Sequence, residues 1–197
     1  MDYSIRELRQ NESKVLNTFL YEAIFIPEGA PIPPKEIINQ PELQVYVKDF
    51  GKNKGDLCLV AEANNEIVGA VWCRIMNDYG HIDDSTPSLA ISLYKEYRGL
   101  GIGKALLKKM LAVLEKDGYE QVSLSVQKSN YAVKLYQKIG FTVYRENEEE
   151  YIMKCKSQAV GMNASDYIRH LIVGYKPKEK PSEQFYEEIK NYHKSSS

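Results

Sequence analysis

The run Arg98-Gly99-Leu100-Gly101-Ile102-Gly103-Lys104 holds the residue types in this chain that most plainly suit a chemical task. Glycines on alternate positions strip side chains from a backbone that then opens a helix. Several N–H groups converge there, and the helix dipole favours a bound phosphate. Arg98 can add a charge-assisted contact, and Lys104, Lys108 and Lys109 keep the surroundings positive. The chemistry implied is the holding of an anion, although the same glycines also serve helix–strand packing. A Walker loop is disfavoured, because Gly103 is followed by Lys104-Ala105 and the magnesium-binding hydroxyl is missing. A dinucleotide fingerprint is disfavoured too, since the strand after this helix ends in Gln127-Lys128 where an acidic residue belongs.

The elements that must position this loop follow from hydrophobic spacing. Leu89 to Leu93 reads as the strand entering it, and Leu106, Leu107, Met110, Leu111 and Leu114 form the stripe of the helix leaving it, stopped by Asp117-Gly118. Val122 to Val126 alternates as a strand, and Asn130 to Ile139 is a second helix ended by Gly140. Upstream, Tyr3 to Leu8 reads as a strand and Glu12 to Ile24 as an amphipathic helix. The proline-rich stretch Pro27 to Pro34 reads as a loop able to shape a substrate mouth, and a helical pattern follows over Lys35 to Phe50. Leu57 to Ala63 and Ile67 to Met76, joined by Asn64-Asn65-Glu66, form a hairpin. Asp78 to Pro87 is a polar loop, and Phe141 to Tyr144 with Tyr151 to Cys155 make a last hairpin across the acidic turn Glu146 to Glu150.

Two of these segments together carry a resemblance. Arg98, Gly101 and Gly103 fit the acyl-CoA loop of Gcn5-related N-acetyltransferases (GNAT), whose pattern is Arg or Gln, two residues, Gly, one residue, Gly or Ala. Further on, Ser129-Asn130-Tyr131-Ala132-Val133-Lys134-Leu135-Tyr136 through Gly140-Phe141 resembles the second signature of that family, in which Asn opens a helix and a Leu-Tyr pair precedes Gly-Phe. The likeness spans residues 3–156. It implies an α/β fold of the α+β type: a mixed central sheet of six to seven strands, helices on both faces and a splayed strand that binds the acyl-CoA.

The resemblance also assigns roles. The pantetheine arm would lie on Leu89 to Leu93, with Ile91 and Leu93 as contacts, and a backbone N–H near Leu93 would hold the oxyanion. The phosphates would sit on Arg98, Gly99, Leu100, Gly101, Ile102, Gly103 and Lys104. Asn130 would hydrogen-bond the arm while also serving as a helix cap. Tyr136 would be the general acid for the leaving thiolate; it also lies on an apolar stripe in a chain with 15 tyrosines, so core packing is the competing role. The attacking amine must lose a proton, and Asp83 and Asp84 are the candidate bases, although loop aspartates are commonly solvated turn residues. The acceptor pocket would fall within Phe19 to Phe50, where Glu22, Glu28, Glu36 and Glu42 could attract a cation or merely form a solvated face. The implied activity is transfer of acetyl from acetyl-CoA to a small or peptide primary amine by direct attack in a ternary complex. The alternative is a non-catalytic acyl-CoA sensor or regulator.

Residues 157–197 are expected to form a helical C-terminal extension to the domain over 1–156. The run Ala164-Ser165-Asp166-Tyr167-Ile168-Arg169 resembles the C-terminal half of plasmid mobilisation ribbon-helix-helix proteins. From Ser157 onward, however, six Lys and Arg meet five Asp and Glu, a balance too neutral to track phosphates. Packing on the domain, or on a second copy as a homodimer, is the expectation. With a formal net charge of −1 the chain has no global field for nucleic acid or an anionic membrane. Cys58, Cys73 and Cys155 have neither disulfide nor zinc spacing, so no metal is expected. No apolar run reaches the roughly 20 residues needed to span a bilayer, and the N-terminus is charged, so a cytoplasmic protein is expected.

Overall fold

The computed structural model describes residues 2–53 and 55–157, and the expectations for the C-terminal extension and its domain boundary fall outside that range. The described chain runs β1 (Ser4–Glu7), α1 (Val15–Ala23), α2 (Pro41–Gln44), β2 (Leu57–Ala63), β3 (Glu66–Arg74), β4 (Ser88–Leu93), α3 (Ile102–Lys116), β5 (Gln121–Gln127), α4 (Ala132–Ile139), β6 (Thr142–Glu146) and β7 (Glu150–Lys156). The strands form one seven-stranded sheet in the order β1-β2-β3-β4-β5-β7-β6. Every neighbouring pair is antiparallel except β4 and β5. This is the mixed sheet of six to seven strands that the resemblance implies, with seven observed.

Alternation along the strands sends apolar side chains to both faces, so each face needs a helical cover. On one side Leu106, Leu107, Met110, Leu111 and Leu114 of α3 pack on Leu59, Val71, Leu124 and Met153. On the other, Leu16, Phe19 and Leu20 of α1 pack on Val60, Ala70 and Trp72. Asn64 and Asn65 both take positive φ, 52° and 64°, which makes the β2/β3 connection the tight turn expected. Cys58, Cys73 and Cys155 are free and buried in the strands, and burial pushes their thiols up, Cys155 to about 12.

The segment expected as one helix over Lys35 to Phe50 is broken. A single 3-10 turn covers Lys35–Asn39, and Gln40 is extended (φ −63°, ψ 138°) before α2 starts at Pro41. The proline ring disfavours a helical residue before it, which outweighs the apolar spacing of this segment. The following turns are held by Arg74, whose guanidinium donates to the Val45 and Lys48 carbonyls (3.2 and 2.9 Å) and forks onto both Asp56 oxygens at 3.0 Å. Arg74 and Asp56 are both nearly sealed from solvent, so this pair fastens the loops beside α2 to the end of β3.

Candidate active site

The site grows from the contact between β4 and β5. Their register contains the single pair Ser88 and Ser123, where Ser123 N–H donates to the Pro87 carbonyl at 3.0 Å. Past that rung the strands separate. Tyr94 N–H donates to Val68 O on the β3 side (3.1 Å), so by strand alternation the backbones of Ile91 and Leu93 face the opening gap. Their side chains point to the α3 face, where both belong to the layer packed around the core.

At the end of β4 the chain enters the glycine loop. Gly99 and Gly101 take positive φ, 76° and 85°, and Gly101 caps α3 from the left-handed region. Gly103 serves differently: a Cβ there would lie 3.3 Å from Leu93 Cδ1 and 3.7 Å from Leu135 Cδ2, so the missing side chain lets α3 approach β4 and α4. The first backbone bond of the helix is Ala105 N–H to Gly101 O (3.1 Å). The N–H groups of residues 99–104 therefore have no backbone acceptor among the described residues, as a helix start requires for an anion site. Lys104 is exposed at the mouth and Leu100 is 52% exposed, whereas the Ile102 side chain is core and leaves only its backbone to a ligand. The ammonium of Lys109 is turned elsewhere, donating to Ile5 O at 2.5 Å.

Arg98 has a structural engagement that its motif does not reveal. Its Nε donates to the Leu93 carbonyl (2.8 Å), and Nη2 donates to Glu22 Oε2 (3.0 Å) and Glu22 O (3.4 Å). The side chain thus ties the end of the parted strand to the last turn of α1, where a cation also suits the helix dipole. Ser92 Oγ donates to Phe19 O at 2.6 Å and holds the same helix from the other face of β4.

On α4, Asn130 Oδ1 accepts from Ala132 N–H (2.9 Å), which is a capping contact, and its amide nitrogen has no partner among the described residues. Tyr136 is 8% exposed and stacks tilted on Phe141, ring centroids 5.7 Å apart. Its hydroxyl donates to no described residue, and burial pushes its pKa above the ordinary tyrosine value, so it stays protonated. The αL glycine at Gly140 lets Phe141 N–H return to Tyr136 O (3.0 Å), fixing the ring pair.

The two base candidates lie apart from this gap. Asp83 Oδ1 accepts from Ser85 N–H (2.8 Å) and Ser85 Oγ (2.6 Å), which holds its carboxyl below the usual range, and Asp84 is fully exposed, 3.9 Å from His81 Nε2. Glu28, Glu36 and Glu42 are exposed, while Glu22 is paired with Arg98. A residue of the same loop that the sequence reading passed over, Asp78, is built in instead. Its Oδ1 accepts from Ser88 Oγ (2.6 Å) and its Oδ2 from Tyr46 OH (2.8 Å), and Ser88 Oγ lies 3.3 Å from Ser123 Oγ. The signal for it was Gly80, two residues on, where a Cβ would stand 3.0 Å from Ser125 N and press into the β5 backbone.

A parted parallel pair beside a glycine-opened helix is the arrangement of an acyl-CoA-dependent transferase fold. Residues 21–171 match the family model described as acetyltransferase (GNAT) domain, and the chain belongs to that family. It is 35% identical over 99 residues to N-alpha-acetyltransferase 50 of Danio rerio, covering 49% of this chain and 58% of that protein. It is 37% identical over 78 residues to the ribosomal protein bS18-alanine N-acetyltransferase of Haemophilus influenzae, covering 40% of this chain and 49% of that one. The chain thus spans about half the length of these relatives. Among solved structures, the PaiA N-acetyltransferase of Thermoplasma acidophilum in complex with coenzyme A superposes with a TM-score of 0.60 at 23% identity, over 79% of this chain and 99% of that one. That likeness concerns the fold. No helix among the described residues is long and apolar enough to cross a membrane.

Proposed function

We propose that this chain transfers the acetyl group of acetyl-CoA to a primary amine by direct attack in a ternary complex. The observation that supports it most is the gap between β4 and β5, with the Ile91 and Leu93 backbones facing it, beside a helix start whose N–H groups over residues 99–104 are unbonded. Bound acetyl-CoA supplies a thioester whose carbonyl carbon is the electrophile. The N–H groups of Gly99 to Lys104 receive its phosphates, with Lys104 adding charge, and Ile91, Leu93 and the Asn130 amide nitrogen receive the arm. The Leu93 carbonyl is already engaged by Arg98, so this backbone offers a donor to an oxyanion while its acceptor is satisfied. Arg98 braces the loop against α1 rather than reaching into it. Tyr136, protonated and without a competing acceptor, gives its proton to the departing thiolate.

The acceptor is an amine presented from the α1 side of the sheet. The relatives named for N-alpha-amino acetylation put peptide α-amines beside polyamines and amino acids in the first panel to be tried. The test is thiol release from acetyl-CoA over that panel: turnover on at least one amine supports the reading, and acetyl-CoA binding without turnover on any of them overturns it.

A further inference from the structure

Acyl transfer to an amine requires that the ammonium be deprotonated, because a lysine-like amine with a pKa near ~10.4 carries no free lone pair at neutral pH. Asp83 is bonded to Ser85 of its own loop and Asp84 is fully exposed. Asp78, from the same loop, stands at the vertex where the gap begins: its carboxylate accepts from Ser88, half of the rung at which β4 and β5 part. It lies on the face covered by α1 and α2, since Tyr46, just past α2, donates to its second oxygen. Two residues along β5 from Ser123, and on the same face of the strand, Ser125 Oγ is buried without a hydrogen-bond partner among the described residues. An unpartnered buried hydroxyl beside this vertex is suited to a ligand or a water, since such a group is costly when left alone. Gly80 presses the loop onto Leu124 and Ser125 with no room for a side chain, which fixes Asp78 in place.

We propose that Asp78, oriented by Tyr46 and Ser88, is the carboxylate that accepts the proton of the acceptor ammonium. The inference rests on the amine-acetylating reading above. In the step, one ammonium proton moves to Asp78. The freed lone pair forms the N–C bond to the acetyl carbon, the C–S bond breaks, and the thiolate takes the Tyr136 proton. The second nitrogen proton returns to the Tyr136 oxygen, and Asp78 releases its own to solvent. Each carboxylate oxygen has one donor and keeps a lone pair for the amine. The titratable group bonded to it is Tyr46, which in turn faces Tyr79 of the Asp78 loop and Glu150 at the start of β7, and His81 of that loop is held through Nδ1 at the Met76 carbonyl. Burial and the Asp78 charge push Tyr46 far above the ordinary range, so it remains a donor.

The test is the pH–rate profile of the wild type, Asp78→Asn and Ser88→Ala on an amine the wild type acetylates, with acetyl-CoA binding measured alongside. Asp78→Asn is expected to lower kcat on the order of 100-fold at neutral pH, the usual span for general-base loss, with acetyl-CoA affinity within about twofold and the deficit closing as pH nears that of the free amine. Ser88→Ala removes a donor that orients the Asp78 carboxylate, and is expected to lower kcat several-fold with the KM for the amine and the acetyl-CoA affinity within about twofold, a split that a merely structural role would not produce. An Asp78→Asn enzyme within about threefold of wild type, or a deficit equal at all pH values, overturns the proposal and leaves the acetyltransferase reading standing. If Asp78→Asn does not fold, a kcat of Ser88→Ala unchanged from wild type overturns it. A wild type inactive on every amine overturns both.

Discussion

Ser88 and Ser123 meet hydroxyl to hydroxyl at 3.3 Å across the only registered rung between β4 and β5 among the described residues. On one side of the rung lies the strand pair that holds the sheet together; on the other lies a gap that the backbones of Ile91 and Leu93 face beside the glycine loop, with the Leu93 carbonyl taken by Arg98. The hydroxyls satisfy each other and Asp78, so the vertex carries polar groups without the penalty of burying them alone.

Tyr136→Phe is the first prediction. Removing the hydroxyl is expected to lower kcat by roughly 100-fold, the lower range for loss of a general acid, with acetyl-CoA affinity unchanged because the ring still packs on Phe141. Steady-state kinetics with isothermal titration check it. Because burial raises this hydroxyl well above the ordinary tyrosine value, its protonated form persists as pH rises, and no alkaline limb from Tyr136 is expected below about pH 10.

The glycines should separate by mechanism. Gly101→Ala places a Cβ in open space but at φ 85°, where an L residue costs about 1–2 kcal/mol, so the loss should be of that size and should weaken acetyl-CoA binding. Gly80→Ala meets backbone at 3.0 Å, which a rotamer change cannot relieve, so it should lower Tm more than Gly101→Ala does. Thermal melts of the two variants, with and without acetyl-CoA, check the order.

Asp56→Ala leaves the Arg74 guanidinium buried and unpaired on its forked side, and should destabilise the chain by about 3–5 kcal/mol in urea unfolding. Asp56→Asn, which keeps one acceptor, should cost less.

At acid pH the clamp formed by Arg6 with Glu12 and Glu62 should fail in a defined window. Arg6 bonds Glu12 at 2.8 and 2.9 Å, and that bond, followed by the Arg9 backbone N–H, lowers the Glu12 carboxyl from 4.5 to about 2. A depressed folded pKa means the contribution is complete above the unfolded value and disappears as pH falls from about 4.5 towards 2. A Glu12→Gln variant should show a flatter stability profile across that window in denaturant titrations.

The elements that a local pattern determines were legible in the sequence: the helix stripes of α3 and α4, the Asn64-Asn65 hairpin, and the glycine loop that opens α3. Tertiary geometry hid the rest. The Lys35 to Phe50 spacing looks helical, but the restriction that Pro41 places on Gln40 breaks it there, and α2 itself ends at Gln44 before Asp49 takes positive φ. Arg98 reads as a phosphate contact because its partners Glu22 and Leu93 are brought to it by α1 and β4 packing, which spacing does not encode. Asp83 and Asp84 stood out as adjacent acids, but adjacency in a loop says nothing of burial; Asp78, a single acid beside Tyr79-Gly80, acquires its partners from Tyr46 and Ser88 at distant sequence positions.

Acetyl transfer to an amine at the parted β4/β5 pair is read out as thiol release from acetyl-CoA by the wild type and Tyr136→Phe over peptide α-amines, polyamines and amino acids. The expected result is amine-dependent thiol release by the wild type, with matching acetylated product by mass, falling roughly 100-fold in Tyr136→Phe. Binding of acetyl-CoA with no amine-dependent release from any acceptor would contradict the account and favour a chain that senses acyl-CoA without turning it over.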